Sequence, residues 1–521
     1  MLRKIRIILA VTVFILITFL FLDFTGTLHL FFGWLAKIQL IPAILAVNIV
    51  ALIFLVLLTI VFGRVYCSVI CPLGIMQDGI SNIASRRKGK KNRFSYSEAK
   101  NWLRYGILAI FIIVGIAGAS LIVSLLDPYA AYGRIASNFF MPIYRLGNNL
   151  LAFFAERADS YAFYSTDVWI KSWLVFGAAV ATFAAIGILA WRNGRTYCNT
   201  ICPVGSILGL ISKYSLVKLT FDADKCTNCK LCERSCKASC INSKDNKIDY
   251  SRCVACFNCI EACKPKGISY KLQPIGKKAN IEASTISEST SAASTNNNGM
   301  SRRHVLSVVG TLAIGSTLKA QQLEVDGGLA DIEDKKIPFR ATPIVPPGAL
   351  GLSNMKRHCT ACLLCISACP NNVLRPSNKL ATFMQPEMSF ERGYCRPECI
   401  ECSQVCPTGA ITTITTADKS AISIGHAVWT EDNCIVNTDG VPCNNCERHC
   451  PTNAITFVPL NPAEESTPPQ APGFPGRRPP ILKIPTINKE LCIGCGACEN
   501  LCPARPYSAI YIEGNVRHHT I

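Results

Sequence analysis

The sequence predicts a multi-domain protein in which an α-helical membrane bundle is followed by small, cysteine-rich α+β modules. Three observations predict it. Apolar runs of membrane length concentrate before residue 212. Most of the 29 cysteines come after that point. A motif also recurs: Gly63–Gly74 reads GRVYCSVICPLG and Gly194–Gly205 reads GRTYCNTICPVG. The copies keep register at an offset of 131 residues through Ser81 and Ser212, with ten of nineteen positions identical. Each follows an apolar run, so one device, a helix and then Cys-x3-Cys-Pro, is used twice.

A chain of 521 residues is long enough for two or three domains. Its net charge of +19 suits nucleic acid or a membrane surface. There is no helix-turn-helix pattern and no groove of interleaved aromatic and basic residues, which excludes nucleic acid. Much of the excess lies in Arg86–Arg93, RRKGKKNR.

The membrane domain is expected over residues 1–212. Its four predicted transmembrane helices are Ile7–Leu22, Ile41–Phe62, Tyr105–Leu126 and Trp173–Trp191, against about 20 apolar residues needed to cross a bilayer. The first also resembles a signal peptide, with Arg3, Lys4 and Arg6 as its charged start. Asp23 and Phe24 stand where a small-residue cleavage site belongs, so it reads as a retained anchor. Lysine and arginine set the orientation. The loop Gly63–Arg104 carries nine of them, against one before it (Lys37) and four in Asp127–Ser172. The chain therefore runs in–out–in–out–in, with both Cys-x3-Cys-Pro motifs on the cytoplasmic side. Cys67, Cys71, Cys198 and Cys202 lie at helix ends, where Pro72 and Pro203 stop the helix from continuing. Packed side by side, the two copies would form a redox or metal site or thiol pairs. The plainer alternative is two structural elbows.

Residues 213–275 form the first module. Cys226, Cys229, Cys232 and Cys236 read C-x2-C-x2-C-x3-C, and Cys253, Cys256, Cys259 and Cys263 repeat it. This is the spacing of bacterial two-cluster ferredoxins, in which the fourth cysteine crosses to the other 4Fe–4S cluster. Cys226, Cys229, Cys232 and Cys263 are thus assigned to one cluster, and Cys253, Cys256, Cys259 and Cys236 to the second. Tandem triple-cysteine runs argue against zinc. Cys240 is left as a buried structural thiol.

Residues 276–300 are rich in Ser, Thr, Asn and Ala and read as a flexible linker. Met300 and SRRHVL then open a twin-arginine-like segment or membrane anchor, 301–321, the fifth helix candidate. Residues 340–521 form a four-cluster domain. Its cysteine groups are Cys359, Cys362, Cys365 and Cys369; Cys395, Cys399, Cys402 and Cys406; Cys434, Cys443, Cys446 and Cys450; and Cys492, Cys495, Cys498 and Cys502. Each ends in Cys-Pro. Either neighbouring groups pair, or the outer groups pair across the inner ones. Six 4Fe–4S clusters use 24 cysteines, the two motifs use four, and Cys240 remains. The fold class is therefore a four- or five-helix membrane bundle plus α+β bacterial-type ferredoxin modules.

GRVYCSVICPLG and GRTYCNTICPVG, each after a helix and followed by such a module, resemble the NapH-type membrane quinol dehydrogenases. Residues from Pro346 (PPGAL) to Cys502 resemble the NapG/MauM-type ferredoxins, through the C-x8-C-x2-C-x3-C-P group at Cys434–Pro451 and CPTGAI at Cys406–Ile411. The membrane motif is also similar to part of the NosR-type proteins. The resemblance implies a quinol dehydrogenase fed by the membrane quinone pool. Electrons would leave toward a periplasmic oxidoreductase or its electron carrier. Having both parts in one chain is a departure that leaves the partner open.

No acid–base pair, nucleophile, flavin or nicotinamide fingerprint stands out. The reading is an inner-membrane, multi-pass electron-transfer protein, its first module cytoplasmic and its C-terminal domain periplasmic. Two alternatives stand beside it: a redox sensor or maturation factor for a partner metalloenzyme, and transfer from a cytoplasmic donor to quinone. Arg64, Tyr66, Arg195 and Tyr197 recur near the membrane boundary, where they suit quinone contact or interfacial anchoring equally. Nothing in the sequence shows how electrons would pass from one face to the other.

Overall fold

Helix α1 (Leu2–Leu22) is the axis of the N-terminal half. Its 21 residues rise about 31 Å, the thickness of a bilayer core. In this computed structural model the described residues are 1–23, 26–87, 94–222, 224–272, 325–326, 330–331, 333–460 and 481–521. The expected linker (276–300), the twin-arginine-like segment (301–321) and most of the basic block lie outside them. Among the described residues, α1 and α12 (Trp173–Asn193) are the two helices long and apolar enough to cross a membrane.

The other two predicted spans are interrupted, which corrects the four-helix reading. Residues 41–62 divide into α4 (Leu40–Leu45) and α5 (Ile49–Phe62). Val47 adopts φ 51°, and the Asn48 side chain caps α5 by accepting from the Ala51 N–H at 3.1 Å. Residues 105–126 divide at Gly118 (φ 75°) into α8 (Asn101–Ile116) and α9 (Ser120–Leu126). Apolar composition is continuous through both breaks, so only the capping residues mark them.

After α9, the Asp127 carboxylate accepts from the Tyr129 and Ala130 N–H groups at 3.1 and 3.2 Å. Pro128 takes the first position of α10 (Pro128–Ile135), whose eight residues are all buried. A π-helical turn, Ala136–Phe140, leads into α11 (Met141–Arg157). Many apolar side chains on this half point outward, among them Ile8, Val50, Ile113, Ile116 and Ile188.

The repeat is a repeat of structure. Gly63 (φ 73°) ends α5, α6 (Tyr66–Val69) carries Cys67, and Pro72 opens α7 (Pro72–Arg87). Likewise Gly194 (φ 69°) ends α12, α13 (Thr196–Thr200) carries Cys198, and Pro203 opens α14 (Pro203–Ser212).

The cysteine-rich modules dock at opposite ends of the bundle. In the first, Val217–Phe221 pairs antiparallel with Ile268–Leu272 around two short helices, Leu231–Ser235 and Asn258–Ala262. It meets the start of α1 through an Arg3–Glu261 ion pair and the end of α5 through Tyr270 Oη, which donates to Phe62 O at 2.9 Å. The second is built on antiparallel pairs, chiefly Ile422–Trp429 with Ile510–Thr520 and Ile455–Pro459 with Lys483–Ile487. It joins the other end through Ser137 and Ser367 (Oγ···Oγ 2.9 Å) and through Lys171 Nζ, which donates to Ile366 O at 2.6 Å. Arg375 and Arg392 also lie over the Trp169 ring, at 4.5 and 4.6 Å.

Candidate metal centres

The two Cys-x3-Cys-Pro motifs face each other. Each arginine of the repeat reaches across to the other copy. Arg64 Nη2 donates to Cys198 O at 3.2 Å, and Arg195 Nη1 donates to Cys67 O at 2.7 Å. The same guanidiniums lie 3.8 and 3.9 Å from the sulfurs of Cys67 and Cys198. Each repeat glycine makes room for this cross-brace. A Cβ on Gly74 would sit 2.3 Å from Cys67 O, and one on Gly205 2.0 Å from Cys198 O. The helix turn therefore packs on the motif itself.

This brings Cys67, Cys71, Cys198 and Cys202, all buried, to the seam between the two copies. Gln77 Nε2 donates to Cys198 Sγ at 3.4 Å, and the Gly205 N–H to Cys202 Sγ at 3.5 Å. Among the described residues no three His, Cys, Asp or Glu side chains stand close enough to hold a single metal ion. One zinc ion would draw its sulfurs to about 3.8 Å from each other.

The two halves differ in charge. Asp78 accepts from Arg195 Nε and Arg6 Nη1, both at 2.9 Å, with Lys237 Nζ at 3.6 Å. Burial alone would raise its carboxyl, but Arg195, Lys237 and Arg6 hold it well below the usual carboxylate range. The equivalent residue of the second copy is Gly209, and Arg104 fills its place: a Cβ there would sit 1.8 Å from Arg104 Nη2. Arg64 is fully buried and makes no ion pair among the described residues. Asn199 Oδ1 and Ser251 O accept from it at 3.0 and 2.9 Å.

Arg64, Tyr66, Arg195 and Tyr197 are therefore interior residues, which corrects their placement at the membrane boundary. All four are buried, and Tyr66 Oη donates to Gln39 Oε1 at 2.8 Å. Pairing of the two repeats covers them, so they neither anchor at an interface nor meet lipid.

In the ferredoxin modules, four cysteine groups share one backbone device. The residues on either side of the second cysteine adopt positive φ: Asn228 and Lys230, Ala255 and Phe257, Ala361 and Leu363, Gly494 and Gly496. Non-glycine residues resist this conformation by about 1–2 kcal/mol each. Holding it winds the loop around the space between its sulfurs. Backbone N–H groups also point at sulfur: Ala361 to Cys359 (3.4 Å), Ile411 to Cys406 (3.4 Å), Ala454 to Cys450 (3.2 Å) and Ala509 to Cys502 (3.3 Å). Such bonds favour the thiolate that a metal requires.

The groupings are now visible. Cys226, Cys229, Cys232 and Cys263 line one small hollow. Cys434, Cys443, Cys446 and Cys502 line another. The other sulfurs group less sharply: Cys259 neighbours both Cys236 and Cys232, Cys365 both Cys406 and Cys402, and Cys402 neighbours Cys395, Cys399 and Cys369. In the second module the hollow joins Cys502 to three cysteines of the preceding group, the arrangement expected if neighbouring groups exchange their fourth cysteine. The groups that begin at Cys395 and at Cys492 touch, since the Cys395 N–H donates to Cys495 O at 2.9 Å. Cys240 is buried with its sulfur 3.5 Å from that of Cys236.

Comparison with known proteins agrees with this chemistry. Residues 44–91 and 175–221 match a family model described as a 4Fe-4S binding domain, and residues 441–505 one described as a 4Fe-4S dicluster domain. The methylamine utilization ferredoxin-type protein MauM of Methylobacillus flagellatus is 31% identical over 171 residues, 31% of this chain and 64% of that protein. The ferredoxin-type protein NapF of Escherichia coli (strain K12) is 30% identical over 175 residues, 33% of this chain and 87% of NapF. The chain belongs to the ferredoxin-type proteins. NapG of the same organism, also a ferredoxin-type protein, is 31% identical over 193 residues, 33% of this chain and 74% of NapG. No solved structure matches the chain. As a ferredoxin-type protein it is an iron–sulfur, electron-transfer chain.

Cysteine spacing located the thiols of this ferredoxin-type chain but not what surrounds them. The cross-bracing arginines had a signal, their recurrence beside Cys67 and Cys198. Gln77, Asp78 and the positive-φ residues Ala255, Phe257, Ala361 and Leu363 had none.

Proposed function

We propose that this ferredoxin-type protein is a membrane-bound quinol dehydrogenase. It would pass electrons through six 4Fe–4S clusters in its two modules toward a periplasmic oxidoreductase or its carrier. The observation that carries this reading is the docking of the modules at opposite ends of a helical bundle whose two longest helices have 21 residues each. Outward-facing Ile8, Val50, Ile113 and Ile188 support burial of that bundle in lipid. The lysine and arginine bias of the loops supports a cytoplasmic first module and a periplasmic second one. The likeness to NapG and MauM supports a partner in an oxidoreductase system.

Bound clusters would supply one-electron transfer, and the chain's own residues would do the rest. The positive-φ loops hold the thiols, the N–H groups stabilise them as thiolates, and burial excludes water. For quinol, the place we infer is a small hollow of about 50 Å³ between the bundle and the second module, which would have to widen to admit a ring. Asn138, Arg145, Trp169 and Lys171 offer polar and aromatic groups there, and Phe176 and Leu363 apolar walls. Leu363 lies between Cys362 and Cys365, so a ring bound there would lie beside a cluster.

A second reading, transfer from a cytoplasmic donor to quinone, is favoured by one observation: Cys229 of the first module is exposed. A reporter fused at the C-terminus tests the topology on which the first reading depends. Periplasmic activity is expected. Cytoplasmic activity would remove the periplasmic partner.

A further inference from the structure

The four cysteines of the helical half belong to neither ferredoxin module. We propose that Cys67, Cys71, Cys198 and Cys202 together hold one iron–sulfur cluster, the relay through which electrons cross between the two modules. Each segment matched as a 4Fe-4S binding domain contains only two cysteines, so neither can close a four-thiolate site alone. The cross-brace supplies the missing half of each.

Charge argues for the same occupant. Among the described residues Arg64 is a buried cation with no ion-pair partner, a placement that costs several kcal/mol unless an anion is near. An iron–sulfur core bound by four thiolates is a net anion. The guanidiniums of Arg64 and Arg195 already lie 3.8 and 3.9 Å from two of its sulfurs.

Position argues for the relay. Toward the first module, Arg64 Nη1 donates to Ser251 O at 2.9 Å, and the Arg195 N–H donates to Lys237 O at 2.9 Å. Ser251 and Lys237 flank Cys253 and Cys236, ligands of one quartet of that module. Toward the second module, Tyr66 and Tyr197 cover the cysteines, and Tyr197 Oη donates to Leu126 O at 3.4 Å. Asp127 comes next and caps α10, accepting from the Tyr129 and Ala130 N–H groups. Buried α10 then covers about 12 Å, and Gly133 lies against the Cys362 carbonyl, 2.2 Å from where a Cβ would be. These contacts connect the Cys67, Cys71, Cys198 and Cys202 group to the neighbours of Cys236 and Cys253 on one side and to Cys362 on the other. Each transfer oxidises its donor by one electron and reduces its acceptor by one. No bond breaks and no proton is needed.

The proposal rests on cluster loading of the two modules but not on quinol as donor, so its test contains no quinone. Holoprotein is reconstituted into liposomes with ferricyanide trapped inside and titanium(III) citrate, which does not cross lipid, outside. Wild type is expected to reduce the trapped ferricyanide in either orientation and to hold about 28 iron atoms per chain. The Cys71→Ser/Cys202→Ser variant is expected to hold about 24 and to conduct no faster than protein-free liposomes, while its outward module is still reduced. A variant that conducts like wild type overturns the relay. So does a wild type that fails to conduct or stops at about 24 irons, which decides the matter even where the variant does not fold.

Discussion

Asp78 shows what one side chain does in the helical half. It neutralises Arg6 from α1, Arg195 from the second repeat and Lys237 from the first ferredoxin module. Asp78→Asn leaves buried cations unpaired and is expected to destabilise the protein by about 3–5 kcal/mol, read by thermal unfolding in detergent. Because the folded carboxyl is held below its unfolded value, its contribution is full above about pH 4 and is lost as pH falls further. Cys240 makes a different prediction. Its thiol lies beside the Cys236 sulfur, where it can donate to a ligand. Cys240→Ala should keep the iron but lower one reduction potential by something on the order of tens of millivolts, read by redox titration followed by EPR. An unchanged potential would return Cys240 to a purely structural role.

Among elements, the winding of the cysteine loops and the packing of the repeats depend on a few glycines. A Cβ on Gly496 (φ 79°) would sit 2.3 Å from the Phe390 ring, and one on Gly205 2.0 Å from a carbonyl oxygen. Gly496→Ala and Gly205→Ala should each cost about 1–3 kcal/mol. The first should lower the iron content of the second module, and the second should loosen the repeat interface. Limited proteolysis and iron assay separate the two. The cysteine loops were legible from spacing, because cluster ligation dictates it. Their backbone was not, since Ala361 and Leu363 adopt a conformation that their side chains disfavour and only the assembled loop enforces. The helix breaks at Asn48 and Gly118 were hidden for another reason. Apolar runs average over a cap or a glycine, and the turn is chosen by burial of Leu40–Ala43 and of the following α10.

On the scale of the whole molecule, the sequence separated a membrane-like half from a cysteine-rich half and assigned every cysteine a plausible group. It could not join the two faces. The junction is made by residues 131 apart in sequence that share one motif, and by arginines whose partners lie in the other copy. Only the folded chain puts a thiol quartet between the modules. It also changes the role of the repeat, from a helix-end motif to a junction between the modules. The central claim of the proposed function is that quinol reduces these clusters. It is tested by mixing purified, fully loaded holoprotein with a menaquinol or ubiquinol analogue under anaerobic conditions and following the iron–sulfur absorbance and EPR. The account predicts bleaching and the EPR signals of reduced clusters. A protein that dithionite bleaches but no quinol does would contradict it.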